Sequence, residues 1–259
     1  MTIRFGPAGL GGWKEAISNL NEYHGLGLRA CEVAFTYGIY LKKEQAVEIG
    51  KVAGKLGIQI SIHAPYWINL NSKEKRKVEE SKKRILNCCE IGEVMGADCV
   101  VFHPGFYSGF EKEESFQNIK KQVLEILKII KEKKWKIKIA PETTGKINVF
   151  GSVDEIARLV DETGCFFCID FAHILAREKK IDYKYIFSKL NDKKLHIHFS
   201  GIEYGEKGEK RHILTDINQA EDLLENLPKN VTTIINESPN PVGDSVKMLG
   251  LCKSAGVCK

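Results

Sequence analysis

No stretch of this chain approaches the roughly 18 consecutive apolar residues that a membrane helix needs, so a membrane-spanning protein is not expected. The opening residues, Met1-Thr2-Ile3-Arg4-Phe5-Gly6, lack the charged-then-apolar layout of a signal peptide. A soluble, cytoplasmic protein is the resulting expectation. The 8 cysteines are too few, and too strand-like in setting, for a secreted disulfide framework. Cys165-x-x-Cys168 has no second pair at zinc-ribbon spacing, and the run Cys165-Phe166-Phe167-Cys168-Ile169-Asp170 reads as a buried strand. Packing is therefore its expected role. Cys252 and Cys258 could pair, but an intracellular setting argues against it. No Gly-x-Gly-x-x-Gly follows the first strand, which disfavours an open dinucleotide-binding sheet. Linkers, low-complexity tracts and sequence repeats are also missing.

What is there is ordinary in composition and regular in pattern. Hydrophobic residues make up 43% and charged residues 28%, enough to bury a substantial core. The net charge of +5 permits a polyanionic partner without demanding one. Of the 39 basic residues 7 are Arg and 32 Lys, a Lys/Glu-rich balance that points weakly to a thermophilic source. Short apolar runs begin at Ile3, Ala30, Ile58, Cys99, Ile137, Phe166, Leu195 and Val231. Amphipathic Lys/Glu-rich segments separate them, such as a helix over about 113–134 with Leu124, Ile126-Leu127 and Ile129-Ile130 as its buried stripe. Eight strands alternating with helices over 259 residues predict an α/β fold, a single (β/α)8 TIM barrel domain spanning 1–259. The basic run Lys73 to Arg84 opens the third helix and reads first as a solvated face, with phosphate contact as the lesser alternative.

Chemistry in such a barrel is expected at the C-terminal ends of the strands. His63 ends the third, followed at once by Pro65-Tyr66-Trp67, and His103 ends the fourth. Glu142 ends the fifth and Asp170 the sixth, with His173 just beyond. His198 ends the seventh, a loop with Arg211-His212 follows, and Glu237 ends the eighth. His196 and His198 share a strand face; His198, nearer the end, is the expected ligand and His196 a supporting or core residue. His24 alone falls elsewhere, on the first helix, and is expected to be structural. Imidazole nitrogen and carboxylate oxygen are the donors that zinc and manganese accept. Carboxylates are costly in a barrel mouth unless paired or coordinated. More divalent ions than one are therefore expected, enough to support an in-line phosphoryl displacement.

These residues resemble the endonuclease IV family of apurinic/apyrimidinic (AP) endonucleases, within the xylose-isomerase-like barrels. His63-x-x-Tyr66-x-Ile68-Asn69-Leu70 is similar to the family's first signature, and Cys168-Ile169-Asp170-Phe171-Ala172-His173 to its second. The resemblance implies two or three Zn2+ ions, with Mn2+ possible in their place. One would be held by His63, His103 and Glu142, and another by Asp170, His198 and Glu237 with Glu142 bridging. A third would use His173 and His212. It also implies hydrolysis of the phosphodiester 5′ to an abasic site in double-stranded DNA, by a monomer, with Glu142 and Glu237 as catalytic carboxylates. Tyr66 and Trp67 take the positions of residues inserted into kinked DNA. Three departures stand out. His198 is followed by Phe199-Ser200-Gly201-Ile202, unlike the third signature. Lys210 occupies the place of an Asp that would complete the third site, leaving Glu209 or Glu206 to substitute. Glu32, on the second strand, resembles the sugar-isomerase branch, and the loop after it lacks a DNA-probing Arg. A divalent-metal-dependent sugar isomerase or epimerase is thus the competing expectation.

Overall fold

The computed structural model describes residues 2–192 and 194–258. Eight parallel strands form two half-walls. One is β2 (Ala30–Ala34), β3 (Gln59–His63), β4 (Cys99–Phe102) and β5 (Lys138–Pro141), adjacent in that order. The other runs β1 (Thr2–Pro7), β10 (Val231–Asn236), β7 (Lys194–Phe199) and β6 (Ile169–Asp170). Parallel bridges between Ala8 and Glu32 and between Glu142 and Cys168 stitch the halves into a closed wall. A closed parallel wall with helices outside is the (β/α)8 barrel the alternation predicts.

The helices are α1 (Trp13–Gly25), α2 (Lys43–Leu56), α3 (Lys75–Met95), α4 (Lys112–Glu132), α5 (Val153–Thr163), α6 (Phe171–Glu178), α7 (Tyr183–Lys189), α8 (Ile217–Asn226) and α9 (Pro241–Ser254). None among the described residues is long and apolar enough to cross a membrane. Local chemistry sets their ends. Ser152 caps α5 in a reciprocal box with Glu155, and Gly164 ends it in the left-handed conformation. In α4 the buried stripe is Phe116, Ile119, Val123, Ile126 and Ile130, while Leu124 is exposed. The expectation for Leu124 fails because the helix turns about 100° per residue and leaves that position beside the stripe.

Two departures from the expected layout matter for the site. First, β6 is only two residues long, because Asp170 immediately caps α6 by accepting a hydrogen bond from the His173 amide at 2.6 Å. His173 therefore rides on the first helical turn. Second, the segment after β7, expected as a loop, is an antiparallel hairpin of β8 (Gly201–Gly205) and β9 (Gly208–Ile213).

Cysteine chemistry also differs from expectation at one end of the chain. Cys252 and Cys258 are joined in a disulfide, their Cα atoms 5.4 Å apart. Left-handed Gly256 turns the chain back after α9, so that the Cys258 amide meets the Cys252 carbonyl at 3.2 Å. The other six cysteines are buried thiols, including Cys165 and Cys168.

The seam between β1 and β2 is tight at Gly6, where an added Cβ would lie 1.8 Å from the Ala30 carbonyl oxygen. Gly6→Ala is expected to force backbone movement there and to destabilise the protein by about 1–3 kcal/mol, the usual cost of overpacking. Urea unfolding of the two proteins checks it, and an unchanged midpoint would refute the claim.

Candidate metal centre

The mouth of the barrel gathers side chains from nearly every strand end. His63, closing β3, donates Nδ1–H to its neighbour's carbonyl, Ala64 O, at 2.8 Å. Its Nε2 lone pair therefore faces inward, 3.2 Å from Glu142 Oε2. His103 Nε2 approaches the same oxygen at 2.9 Å. The other Glu142 oxygen, Oε1, stands 2.9 Å from His198 Nδ1, which is also 3.5 Å from Glu237 Oε2. The ligand atoms of His63, His103 and Glu142 lie within 4.8 Å of one another, as do those of Glu142, Asp170, His198 and Glu237. Glu142 belongs to both groups. These are the two sets that the family resemblance implies, joined through the residue it assigns as the bridge.

A third set forms beside them: His173, Glu209 and His212. His173 donates Nδ1–H to the Thr143 carbonyl at 3.0 Å, which leaves Nε2 facing Glu209 Oε2 at 3.5 Å. His212 Nδ1 meets Ser200 Oγ at 2.6 Å. Residues 209 and 212 of a regular strand would face opposite sides. Here the pairing passes from Glu203–Arg211 to Tyr204–Glu209, so Lys210 is the extra residue of a β-bulge. The bulge turns Glu209 to the same side as His212 and sends Lys210 out to Glu203, 3.6 Å from its Oε1. Lys210 thus does not occupy the ligand position that the spacing assigns to it.

The electrostatics show what this cluster calls for. Burial raises the Glu142 carboxyl, but the His198 and His103 imidazoles outweigh it and hold the group well below the usual carboxylate range. Burial also opposes the charge on Glu237, and His198 overrides it, bringing that group to about 2. Asp170 goes the other way: burial, then the charges of Glu142 and Glu237, push it up to about 8. Its Oδ2 has no hydrogen-bond partner. A buried carboxylate oxygen without a proton donor, among imidazoles and further carboxylates, fits divalent cations of the zinc or manganese type.

The same shifts set a pH dependence for metal-depleted protein. Burial lowers His63, yet its bond to Glu142 together with the charges of Glu142, Glu32 and Glu237 outweighs this and raises it to about 9. A raised histidine stabilises below its unfolded value of roughly 6.5 and loses that contribution as pH climbs through the folded value. Asp170, also raised, destabilises increasingly from its ordinary range up to about 8. Both signs agree, so chelator-treated protein is expected to melt several degrees lower at pH 9 than at pH 6.5. Calorimetry across that window checks the trend, and a rising melting point would contradict it.

A cavity of about 340 Å³ opens above the cluster, lined on its outer side by Tyr66, Ile68, Phe106, Lys146 and Val149. Tyr66 is 61% and Trp67 62% exposed, large values for aromatic side chains with so much apolar surface. The basic run on α3 is largely engaged within the protein. Arg76 pairs with Glu80 at 2.8 Å, and Lys82 with Glu79 and Glu125. Lys146 at the cavity was not singled out from the sequence; its place after the fifth strand was the available signal. Glu209 could be reached only as a substitute, because a bulge leaves no mark in residue spacing.

Residues 20–239 match the family model described as xylose isomerase-like TIM barrel. An uncharacterized protein of Methanocaldococcus jannaschii is 37% identical over 240 residues, covering 86% of this chain and 87% of that protein. A probable endonuclease 4 of Carboxydothermus hydrogenoformans is 32% identical over 120 residues, 44% of this chain and 41% of its own length. An apurinic-apyrimidinic endonuclease of Caenorhabditis elegans is 33% identical over 125 residues, 46% of this chain and 31% of its own length. Those endonuclease matches thus span less than half of either partner. Among solved structures, endonuclease IV of Thermus thermophilus superposes with a TM-score of 0.73 at 19% identity, covering 98% of both chains. A D-tagatose 3-epimerase-like protein gives 0.70 at 19% identity, covering 98% of this chain and 96% of that one. The barrel, its strand order and the matched span agree: the chain belongs to the xylose isomerase-like TIM barrel family.

Proposed function

We propose that this protein is a metal-dependent AP endonuclease of the endonuclease IV kind, acting as a cytoplasmic monomer on abasic sites in double-stranded DNA. The observation that carries the reading is the surplus of donors. Glu142, Asp170, His198 and Glu237 would suffice for one ion, yet His63, His103, His173, His212 and Glu209 surround them. Zinc or manganese bound there would supply an activated water and charge stabilisation for an in-line displacement at phosphorus. The chain's own residues divide the remaining work. Glu142 presents its two oxygens to different imidazole sets and so holds the groups in register. Glu237 stays ionised at neutral pH and can orient a water by accepting its hydrogen bond. The carbonyls of Ala64 and Thr143 fix His63 and His173 in the tautomers that aim Nε2 at the cluster. Lys146 stands at the cavity, where a cation can meet a phosphate. Tyr66 and Trp67 project from the loop after β3 as an apolar wedge for a kinked duplex.

The test is nicking of a labelled duplex containing one tetrahydrofuran abasic analogue. It is run with purified protein, after chelation, and after zinc or manganese is restored. Cleavage 5′ to the lesion that disappears on chelation and returns with metal is expected. A folded, metal-loaded protein that never cuts would overturn the reading. A sugar isomerase or epimerase is the second reading: the set Glu142, Asp170, His198 and Glu237 would serve either reaction, Glu32 on the second strand and the altered segment after His198 favour this one, and ketose interconversion by the same preparation would establish it. Trp67→Ala is expected to weaken abasic-duplex binding about tenfold, on the scale of one lost stacking or wedge contact, without altering metal content. Fluorescence anisotropy checks this, and unchanged binding would remove the wedge.

A further inference from the structure

Beneath the mouth lies a second polar layer that the proposed reaction does not use. Glu32, on β2, is wholly buried and does not line the cavity above the cluster. Its Oε2 accepts a hydrogen bond from Ser61 Oγ at 2.7 Å and lies 3.3 Å from both His196 Nε2 and His198 Nε2. Its Oε1 lies 3.2 Å from His198 Nε2. Ser61 is Glu32's direct partner across the β2–β3 register. His198 is therefore held between two layers, with Nε2 on Glu32 below and Nδ1 on Glu142 and Glu237 above.

We propose that Glu32 is a positioning residue that holds the His198 proton on Nε2, so that Nδ1 can offer its lone pair when a cation occupies the cluster. An imidazole with both nitrogens in polar surroundings can place its proton on either one. Carboxylates, which only accept, stand at both nitrogens; a cation held by Glu142 and Glu237 would exclude the proton from Nδ1, and Glu32 then keeps the remaining one on Nε2. It also orients the ring and makes Nδ1 a better donor, as outer carboxylates do behind metal-bound histidines. Full burial beneath the cavity keeps Glu32 from touching a substrate, which separates this role from proton transfer to a sugar. Ser61, His196 and His198 all approach Oε2, while Oε1 makes no hydrogen bond and lies 3.2 Å from His198 Nε2. The proposal rests on the metal-centre reading above.

Glu32→Gln is the discriminating change. The amide keeps the shape but replaces one oxygen by a donor, in front of three groups that themselves donate. In either orientation the amide NH2 faces His198 Nε2–H, and relief by moving that proton blocks Nδ1 for the metal. Zinc binding is measured by competition with a chromophoric chelator, and the His198 tautomer by long-range 15N–1H spectra of the zinc-loaded protein. Wild type is expected to show His198 as Nε2–H with Nδ1 on the metal. The variant is expected to lose roughly ten- to a hundredfold in affinity for one zinc, while Ser61→Ala keeps wild-type affinity. A folded Glu32→Gln protein with unchanged affinity and an unchanged His198 spectrum would overturn the proposal. Zinc-loaded wild type that ligates through His198 Nε2 would overturn it too, even if the variant does not fold. Wild type that takes up no zinc would remove the metal centre itself, a failure visible before any variant is made.

Discussion

Glu142→Gln is expected to keep the barrel and lose at least about a thousandfold in nicking rate, the scale on which members of a concerted catalytic unit act. Both Glu142 oxygens are used, Oε1 toward His198 and Oε2 toward His63 and His103. An amide can accept at only one of those positions and presents a donor at the other. It also removes the negative charge that raises His63 and His198. Folding should survive, because Glu142's backbone partners, Phe102 and Cys168 across the wall, are untouched. Circular dichroism with a nicking assay at fixed zinc checks both halves. Near-normal activity in a folded variant would mean that the two ligand sets are not joined through this residue.

The second large effect concerns the hairpin. Glu209→Ala is expected to remove one bound zinc per chain, whereas Lys210→Ala leaves the content unchanged. Alignment by spacing alone predicts otherwise, since it puts residue 210 in the site. The bulge reverses the expectation by aiming Glu209 at His173 and pairing Lys210 with Glu203. Elemental analysis after exhaustive dialysis reads the difference. Equal zinc in wild type and Glu209→Ala would show that His173 and His212 hold no ion with Glu209's help.

The barrel was legible because strand and helix periods alternate cleanly, and because parallel strands buried on both faces read as apolar runs. Every apolar run named from the sequence contributes to a barrel strand or to the bridge that extends one. The candidate ligands were legible for a related reason. A strand end fixes a residue's height on the barrel, so His63, His103, Glu142, His198 and Glu237 could be placed from one dimension alone. What escaped notice needs two dimensions. The β8–β9 hairpin and its bulge depend on pairing register, which no single segment encodes. The role of Glu32 depends on two strands opposite each other across the barrel interior, β2 and β7. Leu124 missed the stripe because a run of apolar residues does not reveal which of them faces inward.

The hairpin is tied to the barrel mainly by backbone. The Glu209 amide binds Gly145 O at 3.1 Å, and Lys146 bridges Gly208. Lys179 Nζ reaches Gly205 O, while half-buried Arg177 holds the facing loop through Lys146 O and Val149 O. Two of the three donors in the third set therefore belong to an inserted element held by these backbone bonds and by Ile202, which packs on Ala172 and Ala176 of α6. The wall residues Glu142, Asp170, His198 and Glu237 owe their placement to other strands. Such a division makes the third set portable. With Ile202 kept, natural drift or deliberate design can change the hairpin's other residues, Glu209 and His212 among them, while the barrel that carries it is inherited intact.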